Sequence, residues 1–509
     1  MSLYSSEQEC GGVISQVKRI AEEFEVSRDN IGEATRYFVK QLNDGLKRDG
    51  APMCQIPSYV TNLPNGTETG VCLAVDLGGT NLRVCSVRLH GDSTYSLTQS
   101  KTAIPRNLMT GTSYKDLFRF IAVQVRAFME KDHQEDLDAW SRIAKDTPLT
   151  KEYRLRHFRR LGFTFSFTFD QHALDEGTVL YWTKSFDIPD AIGRDPCAML
   201  QEAMDELNLP LVVTALTNDT VGTLVARSYT APGTSGTLAG AIFGTGTNGA
   251  YVERMANIAK LLNRPEFASY KPDDMMILNT EWGGFDDKLV AVPSTIYDAS
   301  LDRESVNPGE QLFEKQISGM YLGELLRRIL LLLLAQKPPA LDMKVPPESI
   351  LFVSDSIDSS LLSFVASDAS PGLDIAKEVI SRILGVINVS VQDAMAVRIL
   401  SIAIGRRAAR LSAIAIAGIL IQSGRLQPVS NVKASSKPHD EDTIPAEEVI
   451  DIGVDGSLFE LFPNFEEYLR LALRDIPEIG RHGERRVRIG LAKDGSGVGA
   501  ALIAWSAER

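Results

Sequence analysis

The chain has 509 residues, too many for one hydrophobic core, so two large lobes are expected. Its composition, 44% hydrophobic and 23% charged, is that of a water-soluble globular protein, and a formal charge of −13 argues against a general nucleic-acid or anionic-membrane binder. The 5 cysteines (Cys10, Cys54, Cys72, Cys85, Cys197) form no CxxC pair or Cys/His cluster, which disfavours a zinc site and fits reduced thiols in the cytosol.

The N-terminus lacks the basic-then-apolar plan of a signal peptide. Residues 12–48 carry helical periodicity, through Val13, Val17, Ile20 and Phe24, then Tyr37, Phe38 and Leu42. Pro52, Pro57 and Pro64 with Asn65-Gly66 make a loop that feeds an apolar run, Val71 to Val75, ending in Asp76. A Gly78-Gly79-Thr80-Asn81 turn follows, and apolar alternation resumes at Leu82, Val84 and Val87, so strand–turn–strand is expected. Two readings are open. One is an ordinary Gly-Gly hairpin. The other is a phosphate cradle, in which Gly78 and Gly79 let the backbone approach the ligand, Thr80, Asn81 and Arg83 donate to phosphate oxygens, and Asp76 holds a hydrated Mg²⁺.

Tyr95 to Ser100 reads as a third strand, ending near Lys101, and Tyr114 to Phe128 as an amphipathic helix. Residues 131–158 are highly charged without clear periodicity, as in an exposed insertion. Leu161 to Phe169 alternates as a strand, and Tyr181 to Phe186 is a loop with polar groups. A helix at Pro196–Leu207 precedes the strand Leu211–Leu216, which runs into Asn218-Asp219 at a helix start. By itself that dipeptide is either a helix cap or a functional carboxylate. Thr237–Phe243, the turn Gly244-Thr245-Gly246-Thr247-Asn248-Gly249 and Ala250–Glu253 repeat the opening strand–turn–strand, which suggests duplicated architecture around a nucleotide.

Met275–Leu278 is a strand leading to Asn279 and Glu281, and Pro308–Ala335 is read as one long helix with Glu314 near its start. Arg327 and Arg328 before its apolar end, and Lys337-Pro338-Pro339 after it, exclude a membrane span. Helices follow at 374–387 and 392–421, and a Ser/Lys/Pro-rich insertion at 428–447. Val449–Val454 and Ser457–Leu461 read as a hairpin around Asp455-Gly456. Val487–Leu491 is a closing strand, and Gly495 and Ser496 open a small-residue helix.

Taken in order, LAVDLGGTNLRV, LGFTFSF, WTKSFDIP, ALTNDTVGTLVA, GAIFGTGTNGAY, NTEWGGFDD, NPGEQLFEKQISGMYLGELLR, GRRAARLSA and DGSGVGAA resemble the hexokinase family of eukaryotic, fungal type over residues 70–505. The resemblance implies an α/β, two-lobed actin-like ATPase (ribonuclease H-like) fold with a cleft between the lobes. It would divide the chain into an N-terminal helical part of the large lobe (1–70), a small lobe (71–218), the large lobe proper (219–490) and a C-terminal helix returning to the small lobe (491–509). It implies Asp219 as catalytic base and Lys184 beside it. Ser166, Thr183, Lys184, Asn218, Asp219, Asn279, Glu281 and Glu314 would be hexose contacts. ATP would lie against Asp76, Gly78, Gly79, Thr80, Asn81, Arg83, Lys101, Gly244, Thr245, Gly246, Gly495 and Ser496, with Mg²⁺ held by Asp76 through water. A helix start should keep Asp219 ionised.

The sequence departs from the family at three places. Thr168 stands where the family has proline, within Phe167-Thr168-Phe169-Asp170-Gln171. Ser185 replaces a glycine after Lys184, and Arg406-Arg407 add charge expected on the nucleotide side. The leading expectation is therefore an ATP-dependent hexose kinase acting on glucose, mannose or fructose. The alternatives are a weakly active hexokinase-like sugar sensor and, more remotely, a chaperone-type ATPase. A cytosolic monomer or homodimer is expected, with regulatory partners docking on 131–158 or 428–447.

Overall fold

The computed structural model describes residues 4–79, 81–142, 150–184, 186–231, 236–262, 264–427 and 444–507. Thirteen strands occur among them. In chain order they are β1 (Ile56–Pro57), β2 (Thr69–Leu77), β3 (Asn81–His90), β4 (Tyr95–Ala103), β5 (Arg159–Phe165), β6 (Thr168–Ala173), β7 (Glu176–Tyr181), β8 (Leu211–Thr217), β9 (Thr237–Phe243), β10 (Thr247–Arg254), β11 (Met275–Asn279), β12 (Ile450–Asp455) and β13 (Val487–Leu491). They form a sheet of order β4-β3-β2-β5-β8, a second of order β1-β11-β10-β9-β12-β13, and the ribbon β6-β7.

Both large sheets follow one plan. The first strand of an antiparallel hairpin (β2-β3, or β9-β10) is followed across the sheet by two parallel strands in succession, β5 then β8 in one sheet and β12 then β13 in the other. The parallel strands are covered on both faces, which is why β8 is buried at every position and reads as an unbroken apolar run. The first sheet packs on the helix Tyr114–Asp132 through Leu117, Phe118, Ile121 and Val125. The second is backed by the 32-residue helix Val391–Gln422, capped by a Ser390/Asp393 capping box and buried along most of its length.

A third core lies between the sheets. The helix Asp219–Thr230 contributes Val221, Leu224 and Val225, and the C-terminal helix Gly495–Ser506 contributes Val498 through Ala504. These two helices touch backbone to backbone. A Cβ on Gly499 would stand 1.9 Å from the Gly222 carbonyl oxygen, and one on Gly222 would stand 2.7 Å from that of Ser496. Glycine is required at this crossing because no side chain fits.

Several local expectations are corrected. The helical periodicity of 12–48 is met by two helices, Tyr4–Glu22 and Arg28–Lys47, the second capped by Ser27. Leu161–Phe169 is not one strand: β5 ends at Phe165, and β6 starts a separate ribbon at Thr168. Pro308–Ala335 breaks at Ser318 into Leu312–Ile317 and Gly319–Leu334, because the amide of Gly319 turns to the carbonyl of Gly244, 2.7 Å away. Ser457–Leu461 is a helical turn and not a strand, since Gly456 at φ 115° turns the chain away from β12. Residues 131–158 contain the helices Gln134–Ser141 and Lys151–His157; 143–149 lie outside the described residues, as do 428–443 of the second insertion. No helix among the described residues is long and apolar enough to cross a membrane.

Candidate active site

The ends of β8 and β11 meet at one cavity, with Asn218, Asn279 and Glu281 on its wall, as strand ends do in open α/β folds. Asn218 and Asp219 stand where β8 enters its helix, and the two readings of the dipeptide divide between the two residues. Asn218 is the cap, its side-chain oxygen accepting from the amide (2.9 Å) and hydroxyl (2.7 Å) of Thr220. Asp219, the next residue, feels the charges of Lys184 and Asp76. The helix start favours its ionised form, and its environment works the other way, pushing its pKa up. Burial is the main cause, the charge of Asp76 adds to it, and Lys184 opposes it.

Across from Asp219, Glu281 holds a left-handed backbone (φ 52°) just after β11. Its Oε1 accepts from the amides of Asn279 (2.7 Å) and Asn248 (3.2 Å), and Asn248 also donates to Asn279 Oδ1 at 2.8 Å. Trp282 beneath supports this trio. Its indole N–H reaches Thr247 Oγ1 (3.1 Å), and its ring fills the space over Gly249, where a Cβ would be 2.1 Å from it. Glu314 arrives on the helix Leu312–Ile317, which docks on the 282–284 turn. The Asp287 carboxylate accepts from Leu312 N at 2.9 Å, and Gln311 fills the space that a Cβ on Gly283 would need. Glu314 Oε1 accepts from Thr247 N at 3.1 Å. Burial raises the pKa of Glu281 and of Glu314, the neighbouring carboxylates add to it, and Lys184 opposes both shifts. One ammonium therefore faces three acids.

Lys184 follows β7 with φ 57°, and its Nζ donates to the carbonyl oxygen of Ser166 at 2.8 Å. The left-handed position in this loop is Lys184 itself; Ser185 lies outside the described residues. Ser166 is buried at the end of β5, its amide on Leu77 O (3.3 Å). Thr183 is half-buried, and its carbonyl accepts from Phe186 N (3.1 Å). Thr168 leaves the loop's packing whole: Phe167 sits 4.8 Å from the rings of both Trp182 and Phe186.

The first turn closes on the same space. A Cβ on Gly79 would be 2.9 Å from Lys184 Cδ, so the turn abuts the lysine stem, and Gly78 N bonds Asn81 O at 3.1 Å. Thr80 lies outside the described residues. Asp76 Oδ2 accepts from Ser496 Oγ (2.7 Å) and pairs with Arg83 Nη1 (3.3 Å), which draws the C-terminal helix onto the turn. Lys101 is exposed and pairs in register with Arg83. Opposite, Gly244 N bonds Gly246 O (3.0 Å), Thr245 is exposed, and a Cβ on Gly244 would be 3.2 Å from Gly456 Cα. Gly495 packs on Thr223 of the Asp219 helix. No group of three or more His, Cys, Asp or Glu among the described residues could cage a metal. Asp76, a single carboxylate beside the Gly78-Gly79 turn, fits a Mg²⁺ held through water, since Mg²⁺ keeps several waters.

Arg406 and Arg407 do not serve the nucleotide side. Arg407 pairs with Asp298 at 2.6 Å and Arg406 with Glu25 at 2.9 Å, both on segments that pack in the core of the second sheet. Two residues of the cleft had no role from the sequence. Asn248 is one, its only signal being an amide in a Gly-Thr turn. Gln171 is the other. Buried, its amide reaches the carbonyls of Ser58 (3.1 Å), Ala173 (3.1 Å) and Leu216 (3.0 Å), tying the β6-β7 ribbon to both sheets.

Two family models described as Hexokinase match the chain, over residues 16–229 and 238–506. The chain is 46% identical to the glucokinase of Aspergillus niger over 504 residues, 98% of each chain. It is 40% identical to glucokinase-1 of Saccharomyces cerevisiae over 520 residues, 97% of each. Among solved structures it is similar to a hexokinase from Schistosoma mansoni complexed with glucose, with TM-score 0.78 and 32% identity over 98% of this chain and 99% of that one.

Proposed function

The chain belongs to the hexokinase family and is a hexokinase-type phosphotransferase; from that premise we propose that it moves the γ-phosphoryl of MgATP to the 6-hydroxyl of glucose or a related hexose. The observation that carries this reading is the set of Asp219, Glu281 and Glu314 around Lys184, with Asn279 and Asn248 between them and the Gly79 turn alongside.

Phosphoryl transfer needs in-line positioning, charge neutralisation and a group to take the hydroxyl proton. Asp219 would accept the proton of the 6-hydroxyl. Glu281 and Glu314 would accept from other sugar hydroxyls, while Asn279, Asn218 and Ser166 offer both donors and acceptors. The site is built for hydroxyls, and a ligand lacking them would leave buried acids and amides unpaired, so discrimination against it is large. Lys184 would hold the sugar acids together and steady charge on the transferred group. Arg83, the backbone of both Gly turns and the start of the C-terminal helix would hold phosphates. Mg²⁺, held at Asp76 through water, supplies charge neutralisation between phosphate oxygens.

The test is purified protein with glucose, mannose or fructose and MgATP, coupled to sugar-phosphate detection. Turnover of about 1–100 s⁻¹, the ordinary kinase range, is expected. No turnover, with glucose still raising the melting temperature, would replace this reading by the sensor. That alternative draws no support from the geometry, because the loop around Thr168 keeps its packing. We place the activity in the cytosol, where the thiols of Cys54, Cys85 and Cys197 would stay reduced.

A further inference from the structure

Two strand ends from different sheets carry the polar groups of the sugar cavity: β8 leads to Asn218 and Asp219, and β11 ends at Asn279 and leads to Glu281. Gln171, from the β6-β7 ribbon, reaches toward both. Its Nε2 donates to the carbonyl of Leu216 in β8 at 3.0 Å, two residues before Asn218. It also donates to the carbonyl of Ser58 at 3.1 Å. Ser58 is itself fixed on β11. Its amide and its hydroxyl both donate to the carbonyl of Ile277, at 3.0 and 2.8 Å, two residues before Asn279. The third acceptor, the Ala173 carbonyl at 3.1 Å, lies in the ribbon. Gln171 lines the same cavity as Asn218, Asn279 and Glu281.

The ribbon is pressed onto β8 at this point. Gly177 faces Gln171 in the antiparallel register, and a Cβ on it would stand 2.8 Å from Leu216 Cδ2. The amide of Leu216 donates to the Leu174 carbonyl at 2.7 Å, so the ribbon holds Leu216 through both its amide and its carbonyl. Three carbonyl oxygens around one end of a side-chain amide can only accept, which makes that end the NH₂ and makes glutamine, not glutamate, the fitting residue. Gln171 is buried, so a bond lost here leaves carbonyls unsatisfied. Two hydrogens serve three carbonyls, so one hydrogen is shared. A small change in the spacing of the sheets shifts that sharing without leaving the amide unpaired.

We propose that Gln171 is a positioning residue of the hexose site: its carboxamide sets the distance between the strand end carrying Asn218 and Asp219 and the one carrying Asn279 and Glu281. The inference rests on the hexose-kinase reading. Gln171 acts through these groups and not on the reacting atoms.

The test compares wild type with Gln171→Met and Gln171→Glu, each alone and in an Asn279→Ala background. The readouts are glucose Kd by calorimetry, steady-state kinetics for both substrates, and melting temperature. Gln171→Met keeps the length of the side chain and removes the donors. Gln171→Glu keeps the shape and turns an oxygen toward the three carbonyls, so it carries the comparison if Gln171→Met does not fold. Each should raise glucose Kd and KM about tenfold, the worth of a buried hydrogen bond left unmade, with the ATP KM within about twofold. In the Asn279→Ala background the same substitutions should add less than about threefold, because the wall that Gln171 positions is already impaired. A lower melting temperature with an unchanged glucose Kd makes Gln171 a purely structural residue and overturns the inference. A full tenfold penalty in the Asn279→Ala background overturns it as well. A wild type that neither binds nor phosphorylates glucose defeats the hexose-kinase reading instead.

Discussion

Asp219 shows how one residue trades stability against function. Its carboxyl shares the cleft with Glu281, Glu314 and Asp76, and burial disfavours its charge more than Lys184 favours it. Asp219→Asn should therefore lower kcat by about 10²–10⁴-fold, the usual worth of a general base, while leaving glucose binding and raising the melting temperature. Retained turnover in that variant would remove Asp219 from the role of base. Because the reaction needs the ionised form and the pKa is raised, the acid limb of kcat/KM should lie above the ordinary aspartate value of about 3.9. Lys184→Met removes the opposing charge, so that limb should move to still higher pH. A limb that stays put would show that Lys184 does not couple to the base.

At the scale of elements, the helix Asp219–Thr230 is gripped at both ends. Its start is capped by Asn218. Near its end, Arg227 reaches Asp451 of β12 with hydrogen bonds of 2.9 and 2.6 Å. Asp451 also receives Arg488 (2.6 Å) and Thr237 (2.9 Å), and a Cβ on Gly490 would be 2.2 Å from the guanidinium carbon of Arg227. Burial works against the charge of Asp451, yet the two arginines prevail and hold its pKa below the usual value. Its stabilisation is thus present above the unfolded carboxyl pKa and is lost as the pH falls through the lower folded value. Asp451→Ala should destabilise, by at most about 3–5 kcal/mol, because it leaves two half-buried arginines without their carboxylate. The gap between wild type and variant in chemical denaturation should narrow below about pH 4; a gap that widens there would contradict the clamp. Gly499→Ala, against the Gly222 carbonyl, should cost about 1–3 kcal/mol or more in the same assay. A silent Gly499→Ala would mean that the two helices do not touch as described.

For the whole molecule, the cleft is lined from both sheets, and the helices that cross between them meet at Gly222 and Gly499. Hexose binding should draw the two sides together, seen as a smaller radius of gyration in solution scattering. Much of this plan was legible in the sequence. Apolar runs ending in Asp76, Asn218 and Phe243 are strands because a buried parallel strand needs that pattern, and the Gly turns after them mark where backbone must approach a ligand. The spacing of residues along one strand or helix is a local property, so Asp219 could be set at a helix start from its neighbours alone. What local pattern cannot carry is the energy of contacts between distant segments. Ser318 breaks its helix because Gly244 draws its backbone away. Arg406 and Arg407 are neutralised by Glu25 and Asp298, more than a hundred residues distant in the chain. Asn248 gains its place only when β10 lies beside β11. The sequence by itself determined most of the strands, the two Gly turns and the chemistry on offer, but not where β5 ends or that Ser457–Leu461 is a helical turn. The raised pKa of Asp219 and the single cation shared by three acids were decided by tertiary structure, because burial and charge proximity are sums over residues that only the fold brings together.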